Sequence, residues 1–144
     1  MQALTAEEYA RLDQLAEAWR RCHLKDAKTA SHFNPRLGVD ALCFQPHVLA
    51  DGSRGLLGAL VTPLSLSLVL VLDSPAASTP EPRQRLLTLP SGRYVVVREP
   101  LGETDGLWRC ELLDDLSDVG SLEEGSRLAQ QLMERVMTPA VSDA

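Results

Sequence analysis

The fold turns on Gly55-Leu56-Leu57-Gly58-Ala59-Leu60-Val61-Thr62-Pro63-Leu64-Ser65-Leu66-Ser67-Leu68-Val69-Leu70-Val71-Leu72, 18 consecutive residues without a charge. That length touches the threshold for a membrane helix. Pro63 interrupts its middle, and Gly55 and Gly58 weaken any helix through its first half. From Leu64 the leucines fall at every second position as far as Leu72, with Ser65, Ser67, Val69 and Val71 between them. Period two is the signature of a strand, whose successive side chains point to opposite faces. The stretch therefore reads as two adjoining strands broken at Thr62-Pro63, because proline cannot donate to a central ladder. No membrane span is expected.

Toward the C-terminus, Ser74 to Pro82 holds three prolines and reads as a surface loop. Arg85 to Leu89 and Arg93 to Arg98 flank Pro90-Ser91-Gly92 as a hairpin. Leu107 to Leu113 alternates, with Trp108, Cys110 and Leu112 on one face and Leu107, Arg109, Glu111 and Leu113 on the other. Ser121-Leu122-Glu123-Glu124 spells a capping box that opens a helix. Leu128, Leu132 and Val136 line one face of that helix, and Thr138-Pro139 stops it.

Toward the N-terminus, Asp51-Gly52 is a turn signal. Ala41 to Val48 reads as a strand, and Pro46 marks it as an edge or a bulge. Ser31 to Gly38 is a loop punctuated by Asn34-Pro35. Thr5-Ala6-Glu7-Glu8 is another capping box, and Tyr9, Leu12, Leu15, Ala16, Trp19 and His23 then recur at helical spacing to about Ala27. Helix, five or six antiparallel strands and helix make an α+β domain over residues 1–139. Both helices are expected on one sheet face, with a disordered tail at residues 140–144.

Composition narrows the function. The chain has 144 residues and a net charge of −6. An acidic chain with 4% aromatic residues is poorly suited to nucleic acid, which needs a basic surface and stacking platforms. Cys22, Cys43 and Cys110 are odd in number and form no CxxC pair, so neither a disulfide framework nor a zinc ribbon is written here. Cys43 and His47 would lie about 13 Å apart along a strand, too far to share one ion unless Pro46 bends the chain. No metal site and no cofactor are expected. Met1 to Glu8 lacks a basic region followed by an apolar stretch, so the cytoplasm is the expected location. No histidine or serine sits in a nucleophile motif, and no glycine-rich phosphate loop occurs, so the chain is not expected to be an enzyme.

Charge is unevenly spread. Between Glu99 and Glu124 nine acids face the single base Arg109, a local charge of −8 that exceeds the net charge of the chain. Such a concentration attracts a basic partner. The plain alternative is a solvated rim with acids near a helix N-terminus.

The order of motifs resembles the HybE/HupJ family of nickel–iron hydrogenase assembly chaperones. The matching stretches are Phe33-Asn34-Pro35, then Gly58-Ala59-Leu60-Val61-Thr62-Pro63, Leu89-Pro90-Ser91-Gly92, Trp108-Arg109-Cys110-Glu111-Leu112 and Leu122-Glu123-Glu124-Gly125. The chain departs from the family at Leu64, where relatives commonly carry tryptophan. It departs again at Glu111-Leu112-Leu113-Asp114-Asp115, where they commonly read Ser-Leu-x-Ser-Pro. The resemblance implies a non-catalytic cytoplasmic chaperone for a hydrogenase small or large subunit precursor. It also implies that the chaperone holds back premature export through the twin-arginine pathway. The expected partner-binding residues are Pro63 and Leu64 at the broken strand, and Glu111, Asp114, Asp115 and Asp118 at the acidic turn. A twin-arginine signal segment suits such a surface, since guanidinium groups pair well with carboxylates. Two other readings stay open, a metal- or small-ligand-handling protein and a secretion-effector chaperone.

Overall fold

A computed structural model describes residues 4–50, 52–72, 83–101 and 104–139, except for the side chains of residues 100, 101 and 104–106. The expected Ser74–Pro82 loop and the 140–144 tail lie outside the described residues, as do Asp51 and Glu103. Two helices and six strands follow in the order α1 (Ala6–Ala27), β1 (Asp40–Val48), β2 (Arg54–Val61), β3 (Leu66–Leu72), β4 (Gln84–Leu89), β5 (Gly92–Leu101), β6 (Thr104–Leu113) and α2 (Leu122–Val136). The strands form one antiparallel sheet in the order β1-β2-β3-β6-β5-β4. This is the expected α+β architecture, with no helix among the described residues long and apolar enough to cross a membrane.

The uncharged stretch forms the β2–β3 hairpin, with Val61 opposite Leu66. Its turn is held by Thr62, whose Oγ1 accepts from the backbone N–H of Leu64 at 3.1 Å and of Ser65 at 3.0 Å. The threonine hydroxyl thus gives an acceptor to two backbone N–H groups of the turn, while Pro63 between them and Thr62 has no N–H to satisfy.

The helices do not share a face of the sheet, contrary to the sequence expectation. Ala129, Met133 and Val136 of α2 pack with Leu57, Ala59, Val61, Leu66, Leu68 and Leu70. Leu12, Leu15 and Trp19 of α1 pack with Leu56, Leu60, Val69, Val71 and Leu107 on the reverse side. The physical reason is written in the alternation itself. A sheet solvated on one face shows polar residues at every second position, whereas a strand covered on both sides is apolar throughout. Val69 and Val71 alternate with the β3 leucines, so both faces of β3 need cover. The sheet also curls around the α2 side, because Leu87 and Leu89 from the β4 edge reach the same core as Leu57 and Ala59 near the other edge.

Two local features seat α1 and the β1 edge. Phe44 lies flat over Gly58, where an added Cβ would come within 2.4 Å of its ring; only glycine allows that approach. Beside Phe44, Cys43 adopts φ 59, and the β1–β2 register shifts between Leu42 and Gln45. This bulge sits on an edge strand that also carries Pro46, as that proline led one to expect. Trp19 and Trp108 are both buried, one in each core, and the Arg85 guanidinium lies 4.9 Å from the centroid of the Trp108 ring.

The caps differ in detail. At α1 both arms of the capping box close, Thr5 accepting from Glu8 N–H and Glu8 accepting from Thr5 N–H. At α2 Ser121 accepts from Glu124 N–H at 3.1 Å, but the Glu124 carboxylate accepts from Gly120 N–H, at 2.6 Å, one residue before the cap.

Candidate functional site

The acidic residues gather where β6 leaves the sheet and the chain turns into α2. Leu116 and Val119 are buried and pin that turn to the core. Asn34, 2% exposed, fixes it from outside. Its Nδ2 donates to the carbonyls of Leu116 and Val119, each at 2.8 Å, and its Oδ1 accepts from Arg36 N–H at 3.0 Å. Its backbone N–H donates to the Pro63 carbonyl at 2.9 Å. One buried asparagine thus joins the loop before β1, the β2–β3 turn and the acidic turn. Each bond to a buried carbonyl satisfies a group that is expensive to leave bare.

A cleft of about 510 Å³ opens between this turn and α2. Leu113, Leu116 and Leu128 supply apolar lining, and Asp115, Asp118 and Glu124 supply carboxylates. Arg127 is the cation among the lining residues. Asp115 Oδ1 accepts from Ser117 N–H at 2.9 Å. The Ser117 side chain, then its backbone N–H, and to a lesser degree nearby His32 hold the Asp115 carboxyl below its ordinary 3.8. Asp115 therefore stays ionised well into the acid range. An apolar floor with a fixed anionic rim can take a segment that pairs a long basic side chain with apolar neighbours.

The six sequence candidates do not form one surface. Asp115 and Asp118 line the cleft, and Asp114 is exposed on the same turn. Glu111 lies on the other face of β6, where Arg109 bridges it at 3.5 Å and Glu99 at 2.9 Å. Glu99 in turn meets His23 of α1 at 3.1 Å. These pairs use charge that the sequence count assigned to the acidic segment. Pro63 is buried and meets the turn through Asn34, and Leu64 is half-buried against the α1 core. Asn34, Leu128 and Arg127 were missed as site residues. Asn34-Pro35 read as loop punctuation, and nothing in the sequence pairs that loop with residues 116–119.

A broader cleft of about 810 Å³ lies between the β4–β5 turn and the end of α2, near Ser91, Tyr94, Glu134 and Arg135. Its charges are mixed, and its Ser91 and Tyr94 hydroxyls already bond each other at 2.6 Å. Among the described residues no group of three or more His, Cys, Asp or Glu side chains could hold a metal ion. Burial pushes the Cys110 thiol up, and at Cys43 partial burial and then the Glu134 carboxylate do the same.

A model of the HybE [NiFe]-hydrogenase assembly chaperone family matches residues 10–144. The chain belongs to the HybE family of [NiFe]-hydrogenase assembly chaperones. The solution structure of HybE from Escherichia coli matches at 22% identity, with a TM-score of 0.61, over 92% of this chain and 82% of that one. At that identity the likeness speaks for the shared HybE fold alone. A search of curated proteins found no match. In this HybE-family chain, four stretches that carried the resemblance fall at structural joints. Phe33-Asn34-Pro35 and Thr62-Pro63 meet at Asn34. Leu89-Pro90-Ser91-Gly92 forms the β4–β5 turn, tied to α2 by Ser91 N–H donating to the Val136 carbonyl at 3.2 Å. Leu122-Glu123-Glu124-Gly125 opens α2 at the cleft.

Proposed function

We propose that this chain is a non-catalytic chaperone that binds a hydrogenase small or large subunit precursor in the cytoplasm and holds back its premature twin-arginine export. The acidic cleft at Asp115 and Asp118 receives the basic signal segment of that client. The observation that carries this reading is the pairing of Asp115 and Asp118 with an apolar lining in one cleft of about 510 Å³. Carboxylates bind guanidinium groups in a planar, bidentate manner, and the leucines suit the apolar stretch beside them. Family membership supports the hydrogenase client. Pro63 acts by holding the turn in place, since it is buried and bonded to Asn34, and the half-buried Leu64 beside it stays among the residues proposed to meet the client.

The test is fluorescence anisotropy with a labelled twin-arginine signal peptide from a hydrogenase small subunit, titrated at increasing salt. Affinity should fall with ionic strength. It should fall further when Asp114, Asp115 and Asp118 are changed together to asparagine. Unchanged affinity and unchanged salt dependence in that variant would sink the role of the cleft. Consistent absence of hydrogenase subunits after capture from native cells would sink the client assignment.

A further inference from the structure

Gln131, exposed on α2, lines both the acidic cleft of about 510 Å³ and the broader cleft of about 810 Å³ at the β4–β5 turn. The two hollows meet at this residue and run along one side of the helix. Glu124, Leu128, Gln131, Arg135 and Thr138 mark that side. Steps of four and three residues keep side chains on one helix face. The lining is therefore a continuous stripe from the first turn of α2 to just past its last. At 1.5 Å per residue the stripe from Glu124 to Thr138 is about 21 Å long. An extended segment covers that length in about six residues, at roughly 3.3 Å each.

The two halves differ in chemistry. Asp115 and Asp118 put negative charge at one end, beside Leu113 and Leu128. At the other end Glu134 and Arg135 offset each other, and the hydroxyls of Ser91 and Tyr94 are uncharged. The Tyr94 ring is half-buried against the core on the α2 side, which gives this half an apolar floor as well. Its hydroxyl pairs with that of Ser91 at 2.6 Å, and a hydroxyl engaged once keeps further acceptor capacity. The Gln131 amide offers both donors and an acceptor to the backbone of a segment passing over it. A ligand with its charge confined to one end, and neutral beyond it, fits both halves. A segment charged throughout fits only the first.

We propose that the acidic cleft is the first half of a longer groove along α2, and that an extended client segment of about six residues lies in it. Its basic residues sit at Asp115 and Asp118, and its uncharged residues run past Gln131 to Ser91 and Tyr94. This path rests on the acidic cleft as the seat of a basic segment, and it adds the length of that segment and the neutrality of its far part.

The test titrates the full chain with labelled peptides, an arginine pair alone and the same pair carrying five uncharged residues, placed before it or after it. In one of the two orders the longer peptide should bind at least about fivefold more tightly than the pair alone. A nitroxide on its uncharged end should broaden the amide NMR signals of Ser91 and Tyr94, and one on the arginine end those of Asp115 and Asp118. Gln131→Trp narrows the junction and should cancel most of the gain from the added residues; Gln131 is exposed, so the fold tolerates the change. Equal affinity of the short and long peptides, no broadening at Ser91 and Tyr94, a gain that survives Gln131→Trp, or self-association of the chain that broadens the same signals without peptide would each overturn the longer path. In those cases binding of the arginine pair alone would still keep the acidic cleft as a seat, whereas failure of every peptide to bind would remove the seat and the path together.

Discussion

Asn34 donates its side-chain amide to the carbonyl of Leu116 at 2.8 Å, joining positions 82 residues apart. The same nitrogen reaches Val119 at 2.8 Å, so the acidic rim hangs from the loop before β1. Asn34→Ala leaves the Val119 carbonyl without its donor, while the Leu116 carbonyl keeps the Val119 N–H at 3.0 Å. A loss of about 1–3 kcal/mol follows, measurable by urea denaturation. Amide exchange in residues 114–119 should accelerate. Asn34→Asp should be no milder, because an ionised carboxylate cannot donate.

Gly58→Ala drives a Cβ to within 2.4 Å of the Phe44 ring. Overpacking of this kind costs about 1–3 kcal/mol. Phe44→Ala, which removes the Cγ and Cδ1 at 2.4 Å, should recover part of that loss in the double variant; the rest remains because the Phe44 Cα itself lies 2.8 Å from the added Cβ. Denaturation of all four proteins in a mutant cycle would show a coupling energy of at least 0.5 kcal/mol or so. Additive losses would mean that Phe44 and Gly58 do not constrain each other.

Much of the fold was legible because its strongest signals are local. Thr5 and Ser121 announce both helix starts, Pro63 breaks the long strand pair, and Pro90-Ser91-Gly92 marks the hairpin. The side of the sheet taken by each helix was misread, although Val69 and Val71 carried the information. Half of the site was legible as charge at Asp114, Asp115 and Asp118. The rest depends on long-range pairings that no local pattern encodes. Asn34 meets Leu116, Leu128 meets the cleft from α2, and Arg109 withdraws Glu111 and Glu99 from the anionic surface.

Cys43 holds a left-handed backbone at φ 59, a conformation costly for a residue with a side chain. Cys43→Gly should therefore raise stability, by about 0.5–1 kcal/mol after the entropy glycine gains in the unfolded chain. Thermal unfolding followed by circular dichroism would check it. A lower midpoint would mean that the thiol contributes packing that outweighs the backbone cost.

Asp115 should titrate below its ordinary 3.8, since Ser117 bonds favour the ionised form. The sign follows from linkage. With the folded value lowered, the contribution to stability is present above about 3.8 and disappears as pH falls through the depressed value. Carboxyl carbon NMR would locate the midpoint. Ser117→Ala removes the largest cause and should move the midpoint upward, with the backbone N–H of residue 117 retaining part of the shift.

Arg127 is the cation lining the acidic cleft. If a basic segment binds there, Arg127→Ala removes a like charge and should tighten binding by about two- to fivefold at low salt, a gain of roughly 0.4–1 kcal/mol. The gain should shrink as ionic strength rises. Weaker binding in this variant would place Arg127 among the contacts of the segment.

The division of the core by the sheet also bears on how the chain is made. α1 precedes every strand, yet its seat includes Val69 of β3 and Leu107 of β6. During synthesis the helix must wait, with Leu12, Leu15 and Trp19 uncovered, until β6 has emerged. Only α2 remains to be added after that, on the opposite side. Folding of this domain is thereby deferred until β6 has emerged, as expected where non-local strand pairing dominates. Until then, a member of an assembly-chaperone family is itself a chain with an exposed apolar helix.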